Sequence, residues 1–187
     1  MYGLGEDDRA PAPAPAPYDR RVPSIRSARP TDAATIEAIE DDADRLLVER
    51  LHPGSWPPAA PGSDRLAQPG FVLVVTLDDG DVVGFAHVVE VDGLCHLEQL
   101  SVRPEHARRG LGRRLVTASA YRARLLGYER ITLRTYADVP WNAPFYRSVG
   151  FVEEEPVTAF HRSLVETEHR LGLDGYGRRV QMAADLT

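Results

Sequence analysis

The chain has 187 residues, 43% of them hydrophobic and 27% charged, with 22 Lys and Arg against 28 Asp and Glu for a formal net charge of −6. That length suits one domain with a full core. No apolar run approaches the roughly 20 residues of a membrane helix, and the acidic balance disfavours broad nucleic-acid binding.

In chain order, residues 1–23 carry alternating Ala and Pro from Ala10 to Pro17. That pattern favours an extended polyproline conformation with little to bury, so the segment is expected to be a disordered leader outside the fold. Glu6, Asp7 and Asp8 with no apolar core segment do not form a secretory signal. Residues 24–187 are then one domain. Ile25–Ala28 reads as a short strand, and Thr31 as the cap of a helix with Ile36, Ile39, Ala43, Leu46 and Leu47 at helical spacing up to about Leu51. His52–Pro69 is a long Pro/Gly-rich loop with room for a short helical piece.

Phe71–Leu77 has the continuous apolar character of a strand covered on both faces. Asp78-Asp79-Gly80-Asp81 is a hairpin turn, Val82–Val91 a second strand, Asp92-Gly93 a turn, and Leu94–Val102 a third strand. Gly112–Leu126 is a helix with Leu115, Val116, Ala118, Leu125 and Leu126 inward and Gly127 as its stop. Then come a strand at Arg130–Tyr136, a helix at Val139–Val149 with Pro140 in its first turn, and a strand at Phe151–Glu155. A helix near Phe160–Leu171 and a strand near Arg178–Asp185 close the chain.

The loop from Arg103 to Arg109 joins the third strand to Gly110-Leu111-Gly112, which opens a helix. Free backbone N–H groups at the positive end of a helix dipole, with arginines around them, form a site for a diphosphate without a metal. Glycine there lets the anion approach the main chain. Leu115 stands where a dinucleotide fingerprint needs its third glycine, and Gly112-Arg113-Arg114 is not the Gly-Lys-Ser/Thr of a Walker loop. The arginines cluster at one helix start and not along an extended face, which fits a compact anion better than nucleic acid.

The segment resembles motif A of the GCN5-related N-acetyltransferases (GNAT), in which Arg/Gln-x-x-Gly-x-Gly/Ala binds the pyrophosphate of acetyl-coenzyme A. Ala107 replaces the usual Gln or Arg, which removes one side chain and no backbone donor. Trp141-Asn142-Ala143-Pro144-Phe145-Tyr146-Arg147-Ser148-Val149-Gly150-Phe151 resembles motif B of the same family. The resemblance implies a mixed α/β (α+β) acyltransferase fold with a mostly antiparallel, splayed central sheet flanked by helices. It also implies acetyl-CoA as co-substrate and an amine acceptor, small molecule or peptide.

On that resemblance the diphosphate falls to Arg108, Arg109, Gly110, Leu111, Gly112 and Arg113, with Arg114 beside them. Backbone groups at Leu100 and Val102 pair with the pantetheine arm. The asparagine often found seven residues before the tyrosine is Val139 here, leaving Asn142, nearer to Tyr146, as the candidate for a cofactor contact.

Two side chains are candidates for the chemistry. Alternation along Leu94–Val102 predicts His96, Glu98, Leu100 and Val102 on one face and Cys95, Leu97, Gln99 and Ser101 on the other. A glutamate among apolar strand neighbours is costly to bury unless paired or functional, and a similarly placed glutamate is the base in many family members. Tyr146, by the resemblance, is the acid beside the cofactor sulfur.

His87 and His96, on adjacent strands, either line the acceptor pocket or pack in the core. The carboxylates Asp41, Asp42 and Asp44 either attract a cationic acceptor or form a solvated helix face. No histidine pair has metal-protease spacing, no Pro-Cys-x-x-Cys follows His96-Leu97-Glu98, and no Gly-x-Ser-x-Gly occurs, so no metal and no Ser/His/Asp hydrolysis is expected. The single Cys95 suits a reducing cytoplasm. Homodimerisation is left open. A non-catalytic acyl-CoA-binding regulatory module is the alternative, which the changes at Ala107 and Val139 favour and the presence of both Glu98 and Tyr146 opposes.

Overall fold

The apolar run beginning at Phe71 forms a strand buried on both faces, and the other layers are arranged around it. The computed structural model describes residues 23–77 and 80–186. The expected leader, except for Pro23, lies outside the described residues, as do Asp78 and Asp79 of the expected hairpin turn.

The elements follow as β1 (Ser24–Ser27), α1 (Ala33–Leu51), α2 (Gly62–Ala67), β2 (Gly70–Thr76), β3 (Val82–Val91), β4 (Leu94–Val102) and α3 (Leu111–Leu125). They continue as β5 (Arg130–Tyr136), α4 (Ala143–Arg147), β6 (Val152–Glu154), α5 (Ala159–Arg170) and β7 (Arg179–Asp185). The strands form one seven-stranded sheet in the order β1-β2-β3-β4-β5-β7-β6. Among the described strands only β4 and β5 run parallel; every other neighbouring pair is antiparallel. The mostly antiparallel mixed sheet with helices on its faces matches the expected fold class.

The pleat sorts side chains into two layers. On one face Val72, Val74 and Phe85 pack under Ile36 and Ile39 of α1. On the other, Phe71, Leu73, Val75, Val88, Leu97, Ile131 and Leu133 meet Leu111, Leu115 and Val116 of α3, with Tyr146 and Phe151 beside them. α5 lies on the α1 side, where Phe160 meets the edge of the His96 ring at 5.3 Å between centroids.

Several local expectations are corrected. Thr31 is exposed and caps nothing. The capping carboxylate is Asp32, which accepts the Arg29 N–H at 2.7 Å and the Arg26 guanidinium at 2.6 Å, because Pro30 starts a short 3₁₀ turn one residue earlier. Leu125 and Leu126 are 68% and 53% exposed. The inward stripe of α3 is Leu111, Leu115, Ser119 and Ala123, spaced four apart, and the two leucines lie off it at the helix end. The helix expected at Val139–Val149 shrinks to Ala143–Arg147. Pro144 has no N–H to give and would clash with the carbonyl four residues earlier, so it is admitted only in a first turn.

α2 is fixed to α1 by a buried ion pair and to the sheet by a hydrogen bond from the same arginine. Arg65 donates to both Glu40 carboxylate oxygens, at 2.9 and 2.5 Å, and to His87 Nδ1 at 3.2 Å. Because guanidinium can only donate, His87 must be neutral with its proton on Nε2, and burial first, then Arg65, pushes its pKa down to about 4. Removing one partner of such a pair strands a buried charge. Arg65→Met is therefore predicted to lose about 3–5 kcal/mol of unfolding free energy in urea, and Arg65→Met combined with Glu40→Leu to recover most of it.

Candidate active site

β4 departs from simple alternation at Glu98. His87 of β3 lies opposite Gln99 and Val88 opposite Leu97, so Glu98 is an extra residue inserted in the ladder. A bulge of this kind shifts the residues beyond it by one position. Leu100 and Val102 consequently pack on the same side as Cys95 and Leu97, against α3, while Gln99 bonds to Ser101 at 3.0 Å. The predicted grouping of Leu100 and Val102 with His96 and Glu98 is thereby corrected.

The bulge coincides with a parting of strands. β4 and β5 pair only at His96↔Thr132 and Leu97↔Leu133. Beyond that point β4 keeps β3 and β5 keeps β7, and among the described residues no strand lies between 98–102 and 134–136. The backbone groups facing the gap have hydrogen-bonding capacity for an extended, amide-bearing guest.

α3 begins at the mouth of this gap. Gly110 caps it with φ 78°, and the preceding Arg108 also has positive φ, 61°. A Cβ on Gly112 would sit 3.6 Å from Phe145 Cζ and 4.0 Å from Leu100 Cδ2, so β4, α3 and α4 converge there. Asn142 caps α4 without a side-chain capping bond. Arg108 and Arg109 are exposed, and neither side chain has a partner among the described residues. Arg113 instead donates to the carbonyl and hydroxyl oxygens of Ser148, both at 3.0 Å, and Arg114 to the Pro23 carbonyl at 2.6 Å. The cradle thus consists of main-chain donors at the start of α3 with two free guanidinium groups.

Glu98 lies in a recess. Its side chain keeps 40% exposure, yet surrounding protein atoms displace enough water to raise its pKa; Arg65 pulls against that rise, Glu168 adds to it and Arg179 opposes it. His96 Nε2 is 3.8 Å from Glu98 Oε2. This is no ion pair, because burial, then His161 and Arg134, push the His96 pKa down to about 3.

Tyr146 is only 9% exposed, flanked by Phe145 and Phe151 at ring distances of 5.1 and 5.7 Å. Its hydroxyl has no hydrogen-bond partner among the described residues. Burial drives its pKa well above the usual tyrosine value, and Arg179 opposes the rise. Arg179 therefore acts on both candidate catalytic groups.

Local sequence reading missed Arg179. It stacks on Tyr136 at 4.5 Å, donates to Glu168 at 2.6 Å, and its buried Nε has no partner among the described residues. It arrives on a strand inserted between β5 and β6 from the end of the chain, which no short motif announces. His87 and His96 are both buried and hydrogen-bonded, as core residues are. The Cys95 thiol is buried, and desolvation, with Glu90 adding, raises its pKa to about 12, so it offers no thiolate.

Comparison with known proteins bears on this arrangement. The family model described as Acetyltransferase (GNAT) family matches residues 36–151. Among solved structures, the ribosomal-protein-S18-alanine N-acetyltransferase from Escherichia coli is similar with a TM-score of 0.64 at 20% identity, over 89% of this chain and 95% of that one. The PaiA N-acetyltransferase from Thermoplasma acidophilum, in complex with coenzyme A, gives 0.64 at 13% identity, over 88% and 99%. N-acetylglutamate synthase from Neisseria gonorrhoeae, complexed with coenzyme A and N-acetyl-glutamate, gives 0.61 at 19% identity, over 90% of this chain and 36% of that one.

The two glycines of the cradle have separable roles. A Cβ at Gly110 meets nothing, but alanine would have to adopt the left-handed backbone already present there, so Gly110→Ala is predicted to cost about 1–2 kcal/mol in unfolding experiments. Gly112→Ala makes only an ordinary contact and should gain up to about 1 kcal/mol of helix stability.

Proposed function

The chain belongs to the acetyltransferase (GNAT) family, and from that premise we propose that it transfers an acetyl group from acetyl-CoA directly to a primary amine of a small molecule or peptide. The observation that carries the proposal is the gap between β4 and β5, with Glu98 on one strand, the cradle at its mouth and an unpartnered tyrosine hydroxyl in the nearby core.

The residues present suit this donor. Backbone N–H groups of Gly110, Leu111, Gly112 and Arg113, with the free side chains of Arg108 and Arg109, suit a diphosphate. Unpaired backbone around Leu100 and Val102 suits the amides of a pantetheine arm. Arg113 contributes its main chain here, since its guanidinium ties α3 to the end of α4. Asn142 lies where α4 begins and is the side chain best placed in sequence to contact the arm.

An amine must lose a proton to attack. Glu98 takes that proton, directly or through one water, and its raised pKa makes it a better base than an ordinary surface carboxylate. As the new C–N bond forms, the C–S bond breaks and its electron pair remains on sulfur. Tyr146 donates its hydrogen bond to that thiolate. A phenol raised above its ordinary pKa of about 10 is a weaker acid than a thiol at about 8.5, so Tyr146 stabilises the thiolate without fully surrendering its proton. The acceptor enters from the side built by α1, α2 and the loop between them. A reducing cytoplasm suits the single buried cysteine.

Release of free thiol from acetyl-CoA, measured against a panel of amines, amino acids and peptides, tests the proposal. Turnover is expected with at least one amine. Glu98→Gln and Tyr146→Phe are each predicted to lower kcat about 100-fold or more, within the usual range for a positioned acid or base. In the native enzyme kcat/KM should rise with pH through a midpoint above the usual glutamate value of about 4.3, and Glu98→Gln should remove that limb. Cofactor binding without turnover across the panel, or variants with unreduced kcat, would contradict the assigned roles.

A further inference from the structure

Glu98 shares its recess with a buried hydrogen-bonded chain that the proposed reaction leaves unused. Gln181 Nε2 lies 2.9 Å from Glu154 Oε1 and 3.1 Å from His161 Nδ1. Thr132 Oγ1 lies 3.1 Å from His161 Nε2 and 2.8 Å from His96 Nδ1. His96 Nε2 then faces Glu98 Oε2 at 3.8 Å. His96, Thr132, His161 and Gln181 are all buried.

Donor and acceptor identities set the direction of the chain as far as Thr132, and distance selects the acceptor of the Thr132 proton. Facing the Glu154 carboxylate, Gln181 must present its amide nitrogen, because its carbonyl oxygen would meet like charge. The same nitrogen donates to His161 Nδ1, which is therefore an acceptor, so the His161 proton is on Nε2 and points to Thr132 Oγ1. The Thr132 hydroxyl donates in turn to His96 Nδ1, its nearest acceptor; the Cys95 carbonyl is farther, at 3.3 Å. That leaves the single His96 proton on Nε2. From Gln181 to His96, one N–H or O–H of each member points toward Glu98, and the second Gln181 N–H anchors the chain on Glu154.

Resting on the proposed base role of Glu98, we propose that His96 is its positioning residue: the Gln181–His161–Thr132 chain fixes the His96 tautomer and presents Nε2–H to the Glu98 carboxylate. The gap of 3.8 Å exceeds the usual range of about 2.7–3.2 Å, and rotation of the half-exposed Glu98 side chain closes it. Local architecture supports the arrangement. Thr158 caps α5 by accepting the His161 N–H at 3.1 Å, which pins His161 at the first turn, and Phe160 packs on the edge of the His96 ring. Glu98 is two residues from His96 and so shares its strand face.

Other charges also act on this recess. Arg65 of α2 and Arg179 of β7 favour ionised Glu98, and Glu168 of α5 opposes it. Arg134 of β5, with His161, helps keep His96 neutral. A neutral His96 donates one directed hydrogen bond and adds no competing positive charge to a site that must bind a cationic amine before deprotonating it.

Conservative variants separate positioning from packing. Glutamine can place an N–H near the Nε2 position of histidine, whereas asparagine mimics only Nδ1. His96→Gln should keep kcat within about threefold of native, and His96→Asn and Thr132→Val should lower it about tenfold with little change in KM for acetyl-CoA. The latter two should also move the acid limb of kcat/KM to higher pH. Nitrogen-15 imidazole spectra of the resting protein supply a readout that does not depend on turnover. They should show His96 as the Nε2–H tautomer in the native chain and as a mixture in Thr132→Val.

Equal kcat and an unmoved acid limb in His96→Gln and His96→Asn, or a native Nδ1–H tautomer at His96, would overturn the proposal. If Glu98→Gln alone were fully active, the base assignment would fail first. If Glu98→Gln were inactive and His96→Asn native-like, only the positioning role would fail.

Discussion

One extra residue in a β-ladder governs this molecule. Inserting Glu98 between the registers of β3 and β4 turns the end of β4 away from β5, and their parallel pairing stops after two residue pairs. Unpaired main chain in the middle of a sheet is unfavourable unless water or a ligand satisfies it. Keeping such an opening requires the strands on either side to be held firmly by their outer neighbours. β3 does so for β4 along nearly its whole length, and β7 for β5 at seven consecutive positions.

The insertion also explains the electrostatics. A glutamate in an unbroken ladder would be sealed in the core or laid flat on the surface. At the bulge, Glu98 is recessed but wet, enough to raise its pKa while preserving contact with solvent. Arg65 and Arg179 approach from opposite ends of the sequence, each already committed to a carboxylate partner, Glu40 and Glu168 respectively. Their field favours the ionised form of Glu98, and those ion pairs keep the two arginines from collapsing onto it. Tyr146 feels Arg179 as well, so one residue of β7 acts on both candidate catalytic groups.

Much of this was legible in the residues. Apolar runs and turn signals give β3, β4 and β5 with the bounds they have, and Gly110 opens α3 as the strand–loop–glycine pattern implies. The family of the chain was evident from the same stretch. What could not be read was local geometry decided by long-range contacts. Alternation predicts side-chain faces only while the ladder stays regular, so the bulge moved Leu100 and Val102 to the opposite layer. Periodicity alone extends a helix across Pro140 and Pro144, where backbone sterics forbid it. Arginines counted together near the cradle divide by partner, Arg113 going to Ser148 and Arg114 to Pro23, which no one-dimensional pattern encodes. The position of Arg179 depends on β7 threading between β5 and β6.

The central claim is that the open edge between β4 and β5, with the start of α3, receives the amide-bearing arm and diphosphate of coenzyme A. Residue-resolved amide hydrogen exchange with and without coenzyme A tests it most directly. The account predicts that coenzyme A slows exchange at amides within 98–102 and 110–113 that exchange readily in the free protein, while the β2–β3 ladder is unchanged. Unaltered exchange at those amides under saturating coenzyme A, or protection confined to a different surface, would contradict it.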